Sequence, residues 1–346
     1  MGMGGREEAM DWNGKRIMVT SCGGLGDLVM FTPALRRWKE KFPSCHLSFL
    51  CRDNHRAILE GLPYVDRVVC IYRGRFLGRY RAVPFLPGLD AIVFTDWHPV
   101  LLPFAAFFRV PVRAGYAREG HRLSGCLTRK LRQNVFLSAD YAAITQSKVL
   151  SEALETPLEG DMTRIDVAPS GERETRAVDR LLGELGLGAE EPYLLLTPFA
   201  GMEERNWPLG AAKEFVGLAE ARFGMPVVVA GPPGKGEEAS AISRRSLAGK
   251  TGVPELMELV RRAALLVTPD SGPMHIAGAV GTKCVALFSK DLPSRWAPKR
   301  NCRPVTLGME CSPCDDATAR ACSHVGCMRG IDAAMVMQAC DEIMKP

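Results

Sequence analysis

The 346-residue sequence predicts an α/β protein of two domains, each built on a parallel sheet. Three observations carry that expectation. Short β-branched runs alternate with segments of helical spacing, which is the rhythm of βαβ units. The rhythm fades between residues 115 and 185 and then restarts. The chain is also too long for one ordinary core, and with 47% hydrophobic and 24% charged residues it can fill two.

In order along the chain, strands are expected at RIMVT (16–20), HLSFLC (46–51), RVVCIY (67–72) and DAIVFTD (90–96), with helices such as TPALRRWKEKF between them. They form an N-terminal domain of residues 13–170, and residues 1–12 are expected to be disordered. In the fading stretch, Asn, Gln and charged residues mix with helical segments such as YAAITQSKVLSEAL, and DVAPSGERE (166–174) reads as the hinge. The second domain, residues 171–330, takes its strands from PYLLLTPFAG (192–201), MPVVVAGPPG (225–234), ALLVTPDSGPMHIAGAV (264–280) and KCVALFS (283–289). Residues 331–346 read as a final helix that packs back toward the N-terminal domain. In such pairs of domains, ligands sit in the cleft at the carboxyl ends of the strands.

Composition narrows the class. The net charge of +5 is mild, so anionic partners are favoured without nucleic acid being expected. The start, MGMGGREEAMDW, has no apolar signal core, and Arg6 breaks the myristoylation pattern, so a cytoplasmic chain is expected. No window reaches the roughly 18 apolar residues of a spanning helix. Twelve cysteines without an export signal argue for reduced thiols, and five of them crowd into the last eighth of the chain.

Three stretches can be tested as phosphate loops. In SCGGLGDLVMFTPAL (21–35), Gly24 and Gly26 begin a dinucleotide fingerprint, but Val29 stands where its third glycine belongs. GPPGKGEE fails as a P-loop because Gly236 occupies the hydroxyl position. TPDSGPMHIAGA (268–279) fits better. Asp270 or Ser271 can cap a helix, Gly272 lets a ligand reach the backbone, and Pro273 suits the first helical position. The free amides that remain form an anion site, with Met274 and His275 in the first turn and His275 as an added donor. The plain alternative is an ordinary capped helix with a buried histidine.

GGLGDLVMFTPALRRWKEKFP, RNWP (205–208) and GVPELMELVRRAALLVTPDSGPMHIAGAVGTKCVALF together resemble glycosyltransferase family 9, the ADP-heptose heptosyltransferases of lipopolysaccharide synthesis. The resemblance covers most of the chain, in order. It implies a GT-B architecture: two Rossmann-like domains with parallel sheets facing across a cleft, the acceptor on the first and the nucleotide-sugar on the second. It implies an inverting transfer of heptose or a related sugar that needs no metal, and no D-x-D triplet is present. The partners implied are an ADP-sugar donor and a lipopolysaccharide or other glycan acceptor.

The same resemblance gives Asp27 the role of general base for the acceptor hydroxyl, with Gly24 and Gly26 turning the chain to present it. Taken alone, Asp27 reads as an N-cap aspartate. Arg205 stands where relatives commonly carry a lysine and would face the departing diphosphate; it keeps the charge but offers a planar fork. Its alternative is a surface arginine in a Glu-Arg cluster. Thr197, at the end of YLLL, is a further candidate for a phosphate or sugar hydrogen bond.

Cys311, Cys314, Cys322 and Cys327 have a spacing that can hold a structural Zn²⁺ or an iron–sulfur site, or they stay free or pair by oxidation. RGRFLGRYRAVPFLPG (73–88) and LLPFAAFFRVPVRAGYAR (101–118) mix arginines with aromatics. They read as a surface for an anionic glycolipid or the inner leaflet, or as core helix with solvated arginines.

Overall fold

A computed structural model of the chain describes residues 10–72, 76–132 and 140–345. It divides into two compact units, Met1–Met162 and Thr163–Pro346. The first unit runs β1 (Arg16–Thr20), α1 (Leu25–Lys41), β2 (His46–Arg52), β3 (Arg67–Ile71), β4 (Ala91–Phe94), α2 (Leu101–Phe107), β5 (Val112–Gly115), β6 (Arg129–Lys130) and α3 (Ala142–Leu154). Its strands form one parallel sheet in the order β3-β2-β1-β4-β5-β6. The order therefore reverses between β1 and β4.

The central strands are buried along almost their whole length, as a sheet covered on both faces requires. Each Ile, Val, Leu or Phe hidden there contributes about 1.5–3 kcal/mol relative to an exposed position. Helix α1 tolerates Pro33 in its interior because Thr32 Oγ1 donates to Val29 O at 2.7 Å, the carbonyl that the proline cannot serve. The expected disorder of residues 1–12 is corrected at its end. Trp12 is 1% exposed, packs on Trp38 with centroids 5.8 Å apart, and donates through Nε1 to Leu154 O. An indole is too large an apolar surface to leave in water when a pocket between α1 and α3 is available. Residues 1–9 lie outside the described residues.

The second unit runs α4 (Glu172–Glu184), β7 (Leu194–Leu196), α5 (Leu209–Phe223), β8 (Val227–Val229), α6 (Gly236–Ile242), α7 (Val253–Arg262), β9 (Leu265–Pro269), α8 (Gly272–Val280), β10 (Cys284–Leu287), α9 (Pro293–Trp296), β11 (Cys302–Val305), α10 (Asp316–Ala321), α11 (Gly326–Arg329) and α12 (Ala333–Met344). Its sheet is again parallel, in the order β11-β10-β9-β7-β8, and reverses between β7 and β9. Helices α4, α7 and α8 pack together as one group, and α5, α6 and α12 as another.

Two expectations shift here. The boundary falls before the anticipated hinge, because Ile165 and Ala168 are buried and Ile165 approaches Gly278 of α8. The last helix packs on α5, β10 and β11 of its own unit, held also by Arg222–Asp341 and Arg303–Glu342 ion pairs. Val336, Ala339 and Cys340 form its buried stripe, and Trp207 Nε1 donates to Ile331 O just before it.

Candidate functional site

In the second unit the chain gathers charge at the carboxyl ends of β7, β9 and β10. Thr197 follows β7, its N–H bonded to Val267 O at 2.9 Å, and its buried hydroxyl has no partner within the protein. The segment after it is fixed by RNWP. Asn206 Oδ1 accepts from Ala200 N at 2.7 Å, Trp207 is a fully buried anchor, and Pro208 is the N-cap of α5. Arg205, one residue before this tether, is thereby held over the sheet edge.

Its guanidinium lies between two acids. Nη1 is 3.5 Å from Asp270 Oδ2 and donates to Asp270 O at 3.3 Å, while Nη2 is 2.9 Å from Asp291 Oδ2. Lys290 sits beside them, 3.3 Å from Asp291 and 2.7 Å from Asp316. Burial pushes the Asp270 carboxyl up to about 7; Arg205 opposes the shift and Asp291 adds to it. The site therefore holds two cations whose acidic partners do not all carry full charge near neutrality.

Ser271 is the N-cap of α8 but does not cap it with its side chain. Its hydroxyl donates to Pro269 O and meets Thr268 Oγ1, each at 3.1 Å. Pro273 brings no N–H, and Met274 N bonds to Ser271 O at 3.1 Å. The start of α8 is thus left uncapped by Ser271, one residue after the Asp270 that Arg205 contacts. His275 is buried against Trp296, with its Nδ1 unpartnered. Burial first, and the Arg205 charge second, push it down to about 3, so it is a neutral imidazole at working pH. Arg205 meets Asp270 directly, Ser271, Gly272, Pro273, Met274 and His275 follow Asp270 into the first turn of α8, and Thr197 follows the adjacent strand β7. Lys290, Asp291 and Asp316 belong to the same network and are missed by sequence reasoning. Their signal is positional, since Lys290 and Asp291 lie in the loop just beyond the carboxyl end of β10, next to β9.

In the first unit, β1 passes through a glycine turn into α1. Asp27 is the third residue of the helix, and its Oδ2 accepts from Gly24 N at 2.7 Å. That is the reciprocal half of a capping box, so the acid occupies the amide of its own helix start. The glycine that makes room for it is Gly23, where a Cβ would lie 2.5 Å from Asp27 Oδ2; at Gly24 the distance is 3.5 Å. Gly26 lies in the first helical turn. Beside the turn, Cys22 N donates to Asp96 Oδ2, and Cys22 Sγ is 3.5 Å from His98 Nε2.

The segment that carries Cys311 and Cys314 is bonded to the Lys290 end of this network. Cys314 N donates to Lys290 O at 3.0 Å, and Ser312 Oγ donates to Ser289 O. Cys327 lies close enough to Cys311 and Cys314 that both, after burial, raise its thiol pKa. Among the described residues, no three of Cys311, Cys314, Cys322 and Cys327 bring their sulfurs within 4.8 Å of one another. Of the arginine–aromatic stretches, residues 73–75 lie outside the described residues. Arg81 stacks on Tyr72, Tyr80 meets Phe104, and α2 buries Leu101, Leu102 and Ala105 while leaving Phe107 76% exposed. No helix among the described residues is long and apolar enough to cross a membrane.

The family model described as glycosyltransferase family 9 (heptosyltransferase) matches residues 101–323. Lipopolysaccharide heptosyltransferase 3 of Escherichia coli K12 is 24% identical over 293 residues, covering 79% of this chain and 82% of that protein. A glycosyltransferase of family 9 from Veillonella parvula superposes with a TM-score of 0.83 at 19% identity, covering 97% of this chain and 99% of the other. The E. coli ADP-heptose lipopolysaccharide heptosyltransferase II superposes at 0.75 and 18%, covering 95% and 98%. The likeness extends over both units and identifies the fold as GT-B, two Rossmann-like halves each with its own parallel sheet.

Proposed function

The chain belongs to glycosyltransferase family 9 and is a glycosyltransferase, and from that premise we propose that it transfers heptose, or a related sugar, from an ADP-sugar to a lipopolysaccharide core or other glycan acceptor. The observation that carries the donor half is the Arg205–Asp270–Asp291–Lys290 network beside the uncapped start of α8. Two cations and a helix N-terminus suit a diphosphate, whose negative charge grows as the glycosidic bond to it breaks. The Thr197 hydroxyl, buried without a protein partner, is a ready donor or acceptor for the same ligand.

Asp27 is the general base in this reading. It takes the proton of the acceptor hydroxyl as that oxygen attacks the anomeric carbon, and ADP leaves from the opposite face, inverting the centre. The bond from Gly24 N to Oδ2 holds the carboxylate at the helix start. No divalent ion is assigned to the transfer, because Arg205, Lys290 and the α8 amides supply the positive charge at the diphosphate. The thiols at Cys311, Cys314, Cys322 and Cys327 are read as free or redox-pairing, because among the described residues no three of their sulfurs lie within 4.8 Å of one another; a structural zinc or iron–sulfur group there would require them to draw together. Exposed Phe107, beside Arg109, is assigned to contact with an anionic membrane surface on the cytoplasmic side.

The test is ADP release from ADP-heptose with a Kdo-lipid A acceptor in EDTA, with the product anomer read by NMR. Turnover with inverted stereochemistry is expected. Failure with every nucleotide-sugar tried, or full activity in Asp27→Ala, would remove the assignment.

A further inference from the structure

We propose that Cys22, Asp96 and His98 form a binding site for a divalent cation of the zinc class, with three protein ligands and one open position, beside the turn that carries Asp27. This goes beyond the transfer reaction, which is assigned no metal. Among the described residues this is the one group of His, Cys, Asp and Glu side chains with at least three ligand atoms within 4.8 Å of one another.

The place is set by topology. Cys22 lies two residues beyond β1, and Asp96 and His98 lie just beyond β4, the pair of strands at which the sheet reverses its order. Loops at such a reversal diverge and leave a crevice at the carboxyl ends of the strands, where α/β sheets hold ligands. The two strand ends are locked together there, Thr95 N and Thr95 Oγ1 both donating to Thr20 O, at 3.3 and 2.6 Å. Ligands mounted on rigid, bonded elements are already near coordinating geometry.

The donor set selects the ion. A thiolate, an imidazole and a carboxylate suit Zn²⁺ better than Mg²⁺ or Ca²⁺, which prefer oxygen alone. Cys22 Sγ and His98 Nε2 are already 3.5 Å apart, close to the spacing of two ligands on one tetrahedral ion. The Asp96 carboxylate is oriented by Cys22 N–H, and the His98 ring lies against Phe94 at 5.8 Å, with the His98 carbonyl bonded to Leu102 N at 3.1 Å. Such supporting bonds fix ligand direction. Cys22 and Asp96 are half-buried, so an ion can enter, while His98 is 9% exposed. On binding, a sulfur–metal bond forms and the Cys22 thiol proton leaves to solvent. The ion would tie the β4 end to the residue preceding Gly23, against which the Asp27 carboxylate rests, and so fix the position of that acid.

The experiment uses the full chain, stripped with chelator under anaerobic conditions and titrated with Co²⁺ and then Zn²⁺. In the Cys311→Ser/Cys314→Ser background, which takes the C-terminal thiols out of play, one equivalent of cobalt with a thiolate charge-transfer band is expected, displaced by zinc. Adding Cys22→Ser abolishes that equivalent, and adding His98→Gln weakens it by at least about tenfold. Absence of cobalt uptake in that background, or a band that survives the added Cys22→Ser, overturns the site. Circular dichroism and thermal melts check folding; if His98→Gln does not fold, the one-atom change Cys22→Ser still decides.

Discussion

The two units differ in strand order but share one feature, a parallel sheet that reverses its order once, and put it to opposite uses. Each parallel sheet reverses its strand order once, at β1/β4 in the first and β7/β9 in the second, and each has a helix starting at that reversal. At α1 the helix's own acid turns back and binds the N-cap amide, Asp27 Oδ2 to Gly24 N. At α8 the residue that could cap the helix, Ser271, turns its hydroxyl to Pro269 O and Thr268 instead. The first helix start is therefore occupied by an intrinsic anion, and the second is open to one from outside. The surroundings match: thiol, imidazole and carboxylate beside α1, two cations held by acids beside α8. A glycine-rich strand-to-helix turn is thus a poor sign of phosphate binding unless the residue that caps it is known.

The comparison breaks first at Asp27. If this acid is a base and not merely a cap, Asp27→Asn loses about 10²–10⁴-fold in kcat while retaining its fold; a loss under tenfold, with unchanged thermal stability, returns it to a capping role. Next comes Arg205, whose role at α8 predicts about a 10²–10³-fold loss in kcat for Arg205→Ala. Arg205→Lys recovers part of it, because the charge returns without the fork that spans Asp270 and Asp291. If both variants turn over alike, the fork is unimportant.

A smaller effect separates neighbouring glycines. Gly23→Ala places a methyl 2.5 Å from Asp27 Oδ2 and displaces the carboxylate, whereas Gly24→Ala meets only an ordinary 3.5 Å contact. The expected cost is roughly 10²-fold in kcat for the first, the order that a misplacement of about 1 Å brings, and near-wild-type activity for the second. Equal losses would show that the glycines do not serve the acid.

The least effect, and the most diagnostic of the second site's electrostatics, is on stability. The folded-state pKa of Asp270 is raised from 3.8 to about 7 by burial. A raised value means that the folded state holds the proton more tightly, so this contribution is fully present below 3.8 and is lost as pH rises through about 7. Asp270→Asn removes that slope; thermal melts across the interval should flatten relative to wild type, and parallel curves would refute the assignment.

Much of the architecture was legible in one dimension. Apolar runs such as LLVTP and RIMVT, too short for helices and followed by glycine turns, are strands because parallel sheets bury both faces. The D-S-G-P-M-H stretch was legible as a helix start because Gly272 and Pro273 have fixed local meanings. Lys290, Asp291 and Asp316 were not, since isolated charges have no periodicity to mark them. Cys22, Asp96 and His98 were not either, because the first is separated from the others by more than 70 residues and only the β1–β4 pairing joins them. The partners of the final helix, α5, β10 and β11, were not legible, because its apolar stripe fixes that it packs, not what it packs on.

The sequence by itself determined two α/β halves, the places of β1–β4 and β7–β10 but not of β5, β6 and β11, and which glycine and proline turns lead into helices. Those are local properties, set by side-chain periodicity and by backbone freedom at single residues. Only the tertiary structure decided which helix start stays open. That choice depends on whether a nearby hydroxyl or carboxylate is aimed at the first amides, and on which charges distant strands bring beside it. Hydrogen-bond direction and the burial of Asp270 arise only when β7, β9 and β10 lie side by side.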